Sequence, residues 1–452
     1  MFSRLGLFVF VLTATVSGAI AAAPVSRANA VGLGPTAQQT VEVLPSYAAR
    51  LASAPVPAPT VTPLPPPIWP PPDAAGTAHT TPPLANLRPG ALPSPPALLW
   101  FAQSDAITVA GNVIDGQLYI PVVVDGHRKI FLVDTAAPTQ IDSGEIGDEH
   151  AANVVIGSLQ IGDLRLNNVT VKVSRVRPYS ETYLGWAADG VLGSELFERF
   201  PAAIDYEASA LTVYRTSDAA KRARPGDATV VPVQMVRDDP AIEGMIDGAA
   251  GSFILASGFD GFVTLGWNFA KAKRMLHDGE GIAELRLARP DGEMAGRTLR
   301  LHTFSIGSLS INRPIVGIIG NPPGADGLPD TAGVIGDDLL QRFFVLLDEP
   351  GGSLALAPRG AQTDPSFDRS GLWLVNRDGS IVVRSVTRRS PAEAAGLKSG
   401  DVVLRVGGRP VGAIDLAAAR AALAQAAGRT VPIEYRRDGR VRDTVVTLRS
   451  LL

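Results

Sequence analysis

Cysteine is absent from all 452 residues. That excludes a disulfide framework, a lipid-attachment cysteine and any thiol chemistry. An excess of one charge is missing too: 41 Lys and Arg against 44 Asp and Glu leave a formal charge of −3, with no basic or acidic block. Without clustered cations, nucleic acid is not expected as a partner. No apolar run is long enough to cross a bilayer; the run from Leu5 to Val16 falls short of the roughly 20 residues a spanning helix needs. The histidines His79, His127, His277 and His302 show no zinc spacing, and no nucleophile elbow is present. The Gly-rich "GGRPVG" does not open a helix in a βαβ unit, so no phosphate loop is expected. The acidic stretch "DSGEIGDEH", 142–150, lacks EF-hand spacing and reads as a solvated loop. No metal and no cofactor are expected.

What is present starts with a leader. Arg4, the apolar run and the small residues Ala19 and Ala21 have the shape of a secretory signal peptide over 1–23. The expected location is therefore periplasmic or secreted, in a bacterial envelope, with no membrane insertion after signal cleavage. Residues 24–105 follow, with prolines dense from Pro55 to Pro96. Proline fixes φ and lacks an amide donor, so an extended spacer is expected there.

From residue 106 the chain reads as short strands set off by Gly, Asn and Asp. It also repeats itself. "VVVDGHRKIFLVDTAAPTQID" aligns without a gap to "GMIDGAAGSFILASGFDGFVT", placing Asp125 against Asp247 and Asp134 against Ala256. "SLQIGDLRLNNVTV" parallels "FSIGSLSINRPIV", and "DGVLGSELFERF" parallels "AGVIGDDLLQRF". Three blocks in one order define two copies of a β unit, 106–225 and 226–362. The second holds a longer, turn-rich stretch, "GNPPGADGLPD". The tail, 366–452, changes to α+β: Ser390 can cap a helix with Pro391 at its first position, Glu393 reaching back and Gly396 ending it.

The two copies resemble the retropepsin-like and pepsin-like aspartic proteases with two fused lobes. The resemblance rests on Phe131, Leu132, Val133, Asp134, Thr135, then Gly190 to Gly193, and on Phe253, Ile254, Leu255, Ala256, Ser257, Gly258, then Gly333 to Gly336. It implies a mainly β, two-lobed acid-protease-like domain. It also implies a catalytic role for Asp134, with Thr135 and Ser257 locking the two turns across the lobe interface. The tail resembles a bacterial PDZ domain, through "GLWL" at 371–374 and "SPAEAAGLKSGDVVLRVGGRPV". That implies a peptide groove at Gly371, Leu372, Trp373 and Leu374, with Leu416 and Arg420 on the helix lining it. The implied partner is an extended polypeptide or a protein C-terminus.

Acid-protease chemistry uses two carboxylates that share one proton, one acting as base on a water and the other as acid. Here Ala256 stands at the second position, and Ala136 where the family has glycine. Three routes could replace the missing acid: a dimer pairing two Asp134 residues, Asp260 turning in, or Ser257 assisting Asp134. Two functions therefore stay open, an aspartic endopeptidase and a non-catalytic, peptide-binding scaffold.

Overall fold

The computed structural model describes residues 102–147, 152–276, 292–319, 331–360, 367–411 and 416–452, with the short strands Leu12–Val16, Arg88–Pro89, Ala97–Trp100 and Ile282–Arg289. The leader and the proline-rich spacer lie largely outside them, as do the turn-rich insert at 320–330 and residues 148–150.

Each β unit is built around one hairpin. Gln117–Val124 and His127–Val133 join through Asp125-Gly126, and Asp239–Ile246 and Ala249–Leu255 join through Asp247-Gly248. Both turn residues have positive φ in each case, 47° and 85° in the first and 44° and 79° in the second. That is what a two-residue I′ turn demands and what Asp-Gly supplies. The turn carboxylates also act alike: Asp125 accepts from the Ser158 amide at 2.6 Å, and Asp247 from the His302 and Thr303 amides at 2.9 and 2.8 Å.

A third strand then threads beside each hairpin. Gly190–Leu192 lies parallel to the end of the first, pairing Gly190 with Phe131 and Leu192 with Val133. Gly333–Ile335 does the same in the second, pairing Gly333 with Phe253 and Ile335 with Leu255. The glycines after these strands are fixed by close approach. A Cβ on Gly193 would meet the Ala137 carbonyl at 2.2 Å, and one on Gly336 the Gly261 carbonyl at 2.3 Å.

The lobes share a six-stranded sheet to which each contributes three strands. Its order is Thr229–Pro232, Ser353–Pro358, Phe343–Asp348, Ala202–Asp205, Ala210–Tyr214, Ala106–Ala110. At its centre Ala202–Asp205 runs antiparallel to Phe343–Asp348, so one lobe continues directly into the other. A single apolar core, including Phe131, Phe197, Phe253 and Phe304, spans both lobes.

The tail has its own sheet, in the order Leu372–Arg377, Ser380–Val386, Val402–Val406, Thr430–Arg437, Arg440–Thr447. The helix Leu416–Leu423 closes its core, with Leu372, Leu374, Leu416 and Leu423 buried together. Ser390 caps the short helix Pro391–Ala394 by accepting from the Glu393 amide at 3.1 Å. Glu393 reaches back one residue further than expected, to the Arg389 amide. The fold is thus mainly β, two lobes plus a small α+β module, as the sequence implies. Among the described residues no helix is long and apolar enough to cross a membrane.

Candidate functional site

The hairpin ends deliver two turns to the lobe interface, and the turns hold each other. The Thr135 hydroxyl donates to the Leu255 carbonyl at 2.6 Å and accepts from the Ser257 amide at 3.1 Å. The Ser257 hydroxyl donates to the Val133 carbonyl and accepts from the Thr135 amide, both at 3.1 Å. The backbone follows the same rule on each side: Asp134 N–H donates to the Leu192 carbonyl and Ala256 N–H to that of Ile335, both at 3.0 Å. Four buried bonds therefore join the turns across an approximate two-fold axis.

Asp134, on the lobe-one turn, is 1% exposed. Its Oδ1 accepts from the Ala136 amide at 3.1 Å. Burial raises its pKa to about 6, opposed by amides of Ala136, Gly258 and Ala137. Among the described residues no carboxylate is a cause of that shift, although a second acid within reach would dominate it. The equivalent position across the interface is Ala256, in hydrocarbon surroundings. Ala136, Ala256, Phe259 and Val334 form one buried apolar cluster with Ile254 and Ile319.

The sequence raised two other sources for a second acid within the chain, and neither reaches Asp134. Asp260 is drawn to Asp337 and Asp338, with which it shares a carboxylate cluster. Ser257 has its hydroxyl committed to Val133 and Thr135. The acidic stretch at 142–150 is not the solvated loop expected over its described residues: the buried Asp142 caps the helix Ser143–Ile146 through the Gly144 amide at 2.9 Å, and the buried Glu145 pairs with the buried Lys129. Its last three residues lie outside the described chain.

In the tail, Gly371 has φ 79°, and a Cβ there would meet Ser390 Cβ at 2.3 Å, so the "GLWL" turn is pinned by close approach. Leu372–Arg377 is the edge strand of its sheet. Leu372 and Leu374 face the tail core, while Trp373 and Val375 face lobe one. There Trp373 stacks on Tyr183, with ring centroids 6.0 Å apart and planes at 18°. The turn Ser180–Leu184 lies against the edge strand. Arg420, on the helix, donates to Asp115 at 2.5 Å, to the Tyr183 carbonyl at 2.7 Å and to the Leu374 carbonyl at 3.2 Å. The six residues expected to form a peptide groove are thus together, but Trp373 and Arg420 are engaged by lobe one.

An open cleft of about 490 Å³ is lined by Trp373 together with, among others, Arg384, Glu393, Leu397 and Lys398. The reading from sequence did not single out Asp115, Tyr119, Tyr183, Asp337 or Asp338. For the last two a signal existed, since "GVLGSE" becomes "GVIGDD" in the third repeated block.

Residues 371–448 match the family model of the PDZ domain, and the tail is a PDZ domain. Among solved structures, the chain is similar to an aspartic proteinase from Irpex lacteus at 14% identity and a TM-score of 0.34, over 57% of this chain and 98% of that one. It is also similar to a photosystem II D1 C-terminal processing protease at 27% identity and a TM-score of 0.17, over 18% of this chain and 22% of that one. No curated protein sequence matches.

Proposed function

We propose that this chain is an exported, aspartic-peptidase-like protein that holds extended polypeptide without cutting it through a carboxylate pair, and whose PDZ domain takes protein C-termini. One observation carries this reading. Asp134 is bonded to backbone amides, and the equivalent position of the other turn, Ala256, lies in a buried apolar cluster with Ala136, with no carboxylate of the described residues among the causes of the raised Asp134 pKa. Peptide hydrolysis by this architecture needs a base on the water and an acid on the carbonyl at once. A lone carboxyl can serve one role at a time, and loss of a general acid or base removes ~10² to 10⁴ in rate.

What remains is built for holding. The Thr135–Ser257 bonds keep the lobes in register, and the PDZ edge strand offers the main-chain donors and acceptors used in strand addition. Export rests on the leader, and the bacterial envelope on the form of the PDZ sequence together with the absence of cysteine.

The test is incubation of the purified protein with an unfolded test protein from about pH 3 to pH 7, with Asp134→Asn alongside, and peptide binding measured in parallel. Binding without cleavage is the expected result. Cleavage that disappears in Asp134→Asn would establish an endopeptidase working from one carboxylate and overturn the proposal.

A further inference from the structure

Lobe two holds a strand pair without a counterpart in lobe one. Ile282–Arg289 and Gly292–Arg300 run antiparallel between its first and second repeated blocks. At that point lobe one passes from the helix Ser143–Ile146 to Asn153–Ile161, with no such pair among the described residues. Gly292–Arg300 joins the lobe-two sheet beside Ile315–Ile319, which leaves Ile282–Arg289 as the last strand that lobe two itself supplies. An edge strand presents a row of main-chain donors and acceptors, a template for any extended chain that reaches it.

The two lobes cover their edges differently. In lobe one the sheet reaches Asn153–Ile161, and Arg88–Pro89 of the spacer pairs beyond it. That cap is two residues long and includes a proline, which blunts further pairing. In lobe two the cap is Leu12–Val16, part of the leader whose removal is expected on export. It runs antiparallel to Ile282–Arg289 in one unbroken register. Leu12 pairs with Leu287, Ala14 with Leu285 and Val16 with Ala283, a set apolar on both strands; between them Thr13 pairs with Arg286 and Thr15 with Glu284. The same segment approaches Leu372–Arg377, and Arg300 lies over the Phe367 ring, 5.4 Å from its centroid, so the seat is where lobe two meets the PDZ domain. No other described strand pairs with this edge, and removal of the leader uncovers it.

We propose that the edge Ile282–Arg289 takes an extended segment of another, unfolded polypeptide as an added antiparallel strand, in the place that Leu12–Val16 fills here. This rests on the reading that the protein holds extended polypeptide, and it assigns the hold to a strand edge of lobe two. The register defines the occupant. Main-chain bonds supply affinity, and apolar residues are selected at alternate positions, opposite Ala283, Leu285 and Leu287. Between them the occupant carries uncharged polar residues, as Thr13 and Thr15 do, or a base opposite Glu284 and an acid opposite Arg286. β-Branched residues suit the added strand, and a proline that must donate to the edge is excluded.

The experiment uses the chain purified without residues 1–23 and a fluorescent, lysine-flanked peptide spanning Leu12–Val16, amidated so that a C-terminal groove does not take it. Anisotropy should show saturable binding. In an antiparallel pair only alternate amides face the partner strand, so N-methylation of one alternate set of peptide amides should weaken binding about tenfold or more and of the other set less than about threefold. The chain that retains residues 1–23 should bind the peptide about tenfold more weakly, because its own segment competes at high effective concentration. Leu285→Asp should weaken binding about fivefold or more, and Val441→Asp, on the exposed strand at the opposite edge of the PDZ sheet, should not. Equal loss from both methylated sets, equal binding by the two chain lengths, or unchanged affinity in Leu285→Asp overturns the proposal. Should Leu285→Asp fail to fold, the methylated peptides and the leader-bearing chain decide. A parent that binds an unfolded test protein but not the peptide overturns this site alone; one that binds neither overturns the proposed function with it.

Discussion

Ala136 and Ala256 pack in one buried cluster on opposite sides of the lobe interface, each 1% exposed. Their positions are linked by the geometry on the other half of the axis. A Cβ on Gly258 would lie 2.7 Å from each of Asp134 Cβ, Cγ and Oδ2, so that turn has room only for glycine. Lobe one carries a methyl at the equivalent place, Ala136, and the side chain opposite it is Ala256 rather than an acid. The two alanines thus fill with methyl groups the positions at which the opposite turn carries Gly258 and Asp134.

Restoring the acid alone should fail. Ala256→Asp places a carboxyl against the Ala136 methyl in an apolar site and is expected to lower stability by about 2–4 kcal/mol. Adding Ala136→Gly should recover part of that loss, and only the double variant should cut an unfolded test protein at acid pH. Urea midpoints and a cleavage assay on the three variants read both effects. Equal cleavage by Ala256→Asp alone would show that the methyl is no obstacle.

The raised pKa of Asp134 sets a pH dependence of known sign. The unfolded group titrates near 3.8 and the folded one near 6, so the native state binds more protons between these values and stability falls as pH rises through that window. The full loss, on the order of 3 kcal/mol, is reached above about pH 6. Asp134→Asn removes this contribution. It should be more stable than the parent at about pH 7.5 and gain little at about pH 4, as measured by urea unfolding at both. A gain independent of pH would place the titration on another group.

The halves of this molecule were legible in the sequence for local reasons. Asp125-Gly126 and Asp247-Gly248 encode the same turn, and the glycines of "GVLG" and "GVIG" sit where a side chain cannot, so the repeat survives wide divergence around them. The alanine opposite Asp134 in the repeat, Ala256, followed from that alignment. The contacts between modules were not legible. Trp373 on Tyr183 and Arg420 on Asp115 join residues with no shared periodicity. The acid cluster likewise depends on how tightly Gly336 seats against Phe259 and Gly261. Asp260 was considered as a replacement for the missing acid because it is near in sequence, yet backbone packing turns it toward Asp337.

The interlocked hydroxyls predict non-additive mutational effects. Each of Thr135 and Ser257 supplies a donor to one strand end and an acceptor to the opposite turn, so removing either leaves buried amides and carbonyls unpaired on both lobes. Thr135→Val and Ser257→Ala should each cost about 1–3 kcal/mol. The pair should cost less than the sum by about 1–2 kcal/mol, because the two side chains hold the same two turns together and loss of one pair of bonds loosens the turns that the other pair joins. Strict additivity in a double-mutant cycle would mean that the two turns are not coupled in solution.

The PDZ edge strand predicts a competition. Leu372–Arg377 is where a C-terminal peptide would add, but Ser180–Leu184 lies against it, and Arg420 is bound to Asp115 and the Tyr183 carbonyl. A peptide must displace these contacts, so its apparent affinity is reduced by the fraction of molecules in which the strand is free. Asp115→Asn combined with Tyr183→Ala weakens the docking from the lobe side and leaves every PDZ residue intact. This variant should bind a peptide with a free C-terminus more tightly than the parent, about tenfold for each 1.4 kcal/mol of docking removed. It should discriminate against the amidated twin at least as well. Fluorescence anisotropy with the two peptides measures both quantities. Unchanged affinity would mean that the lobe does not restrain the strand, and equal binding of the amidated peptide would remove the C-terminal groove itself.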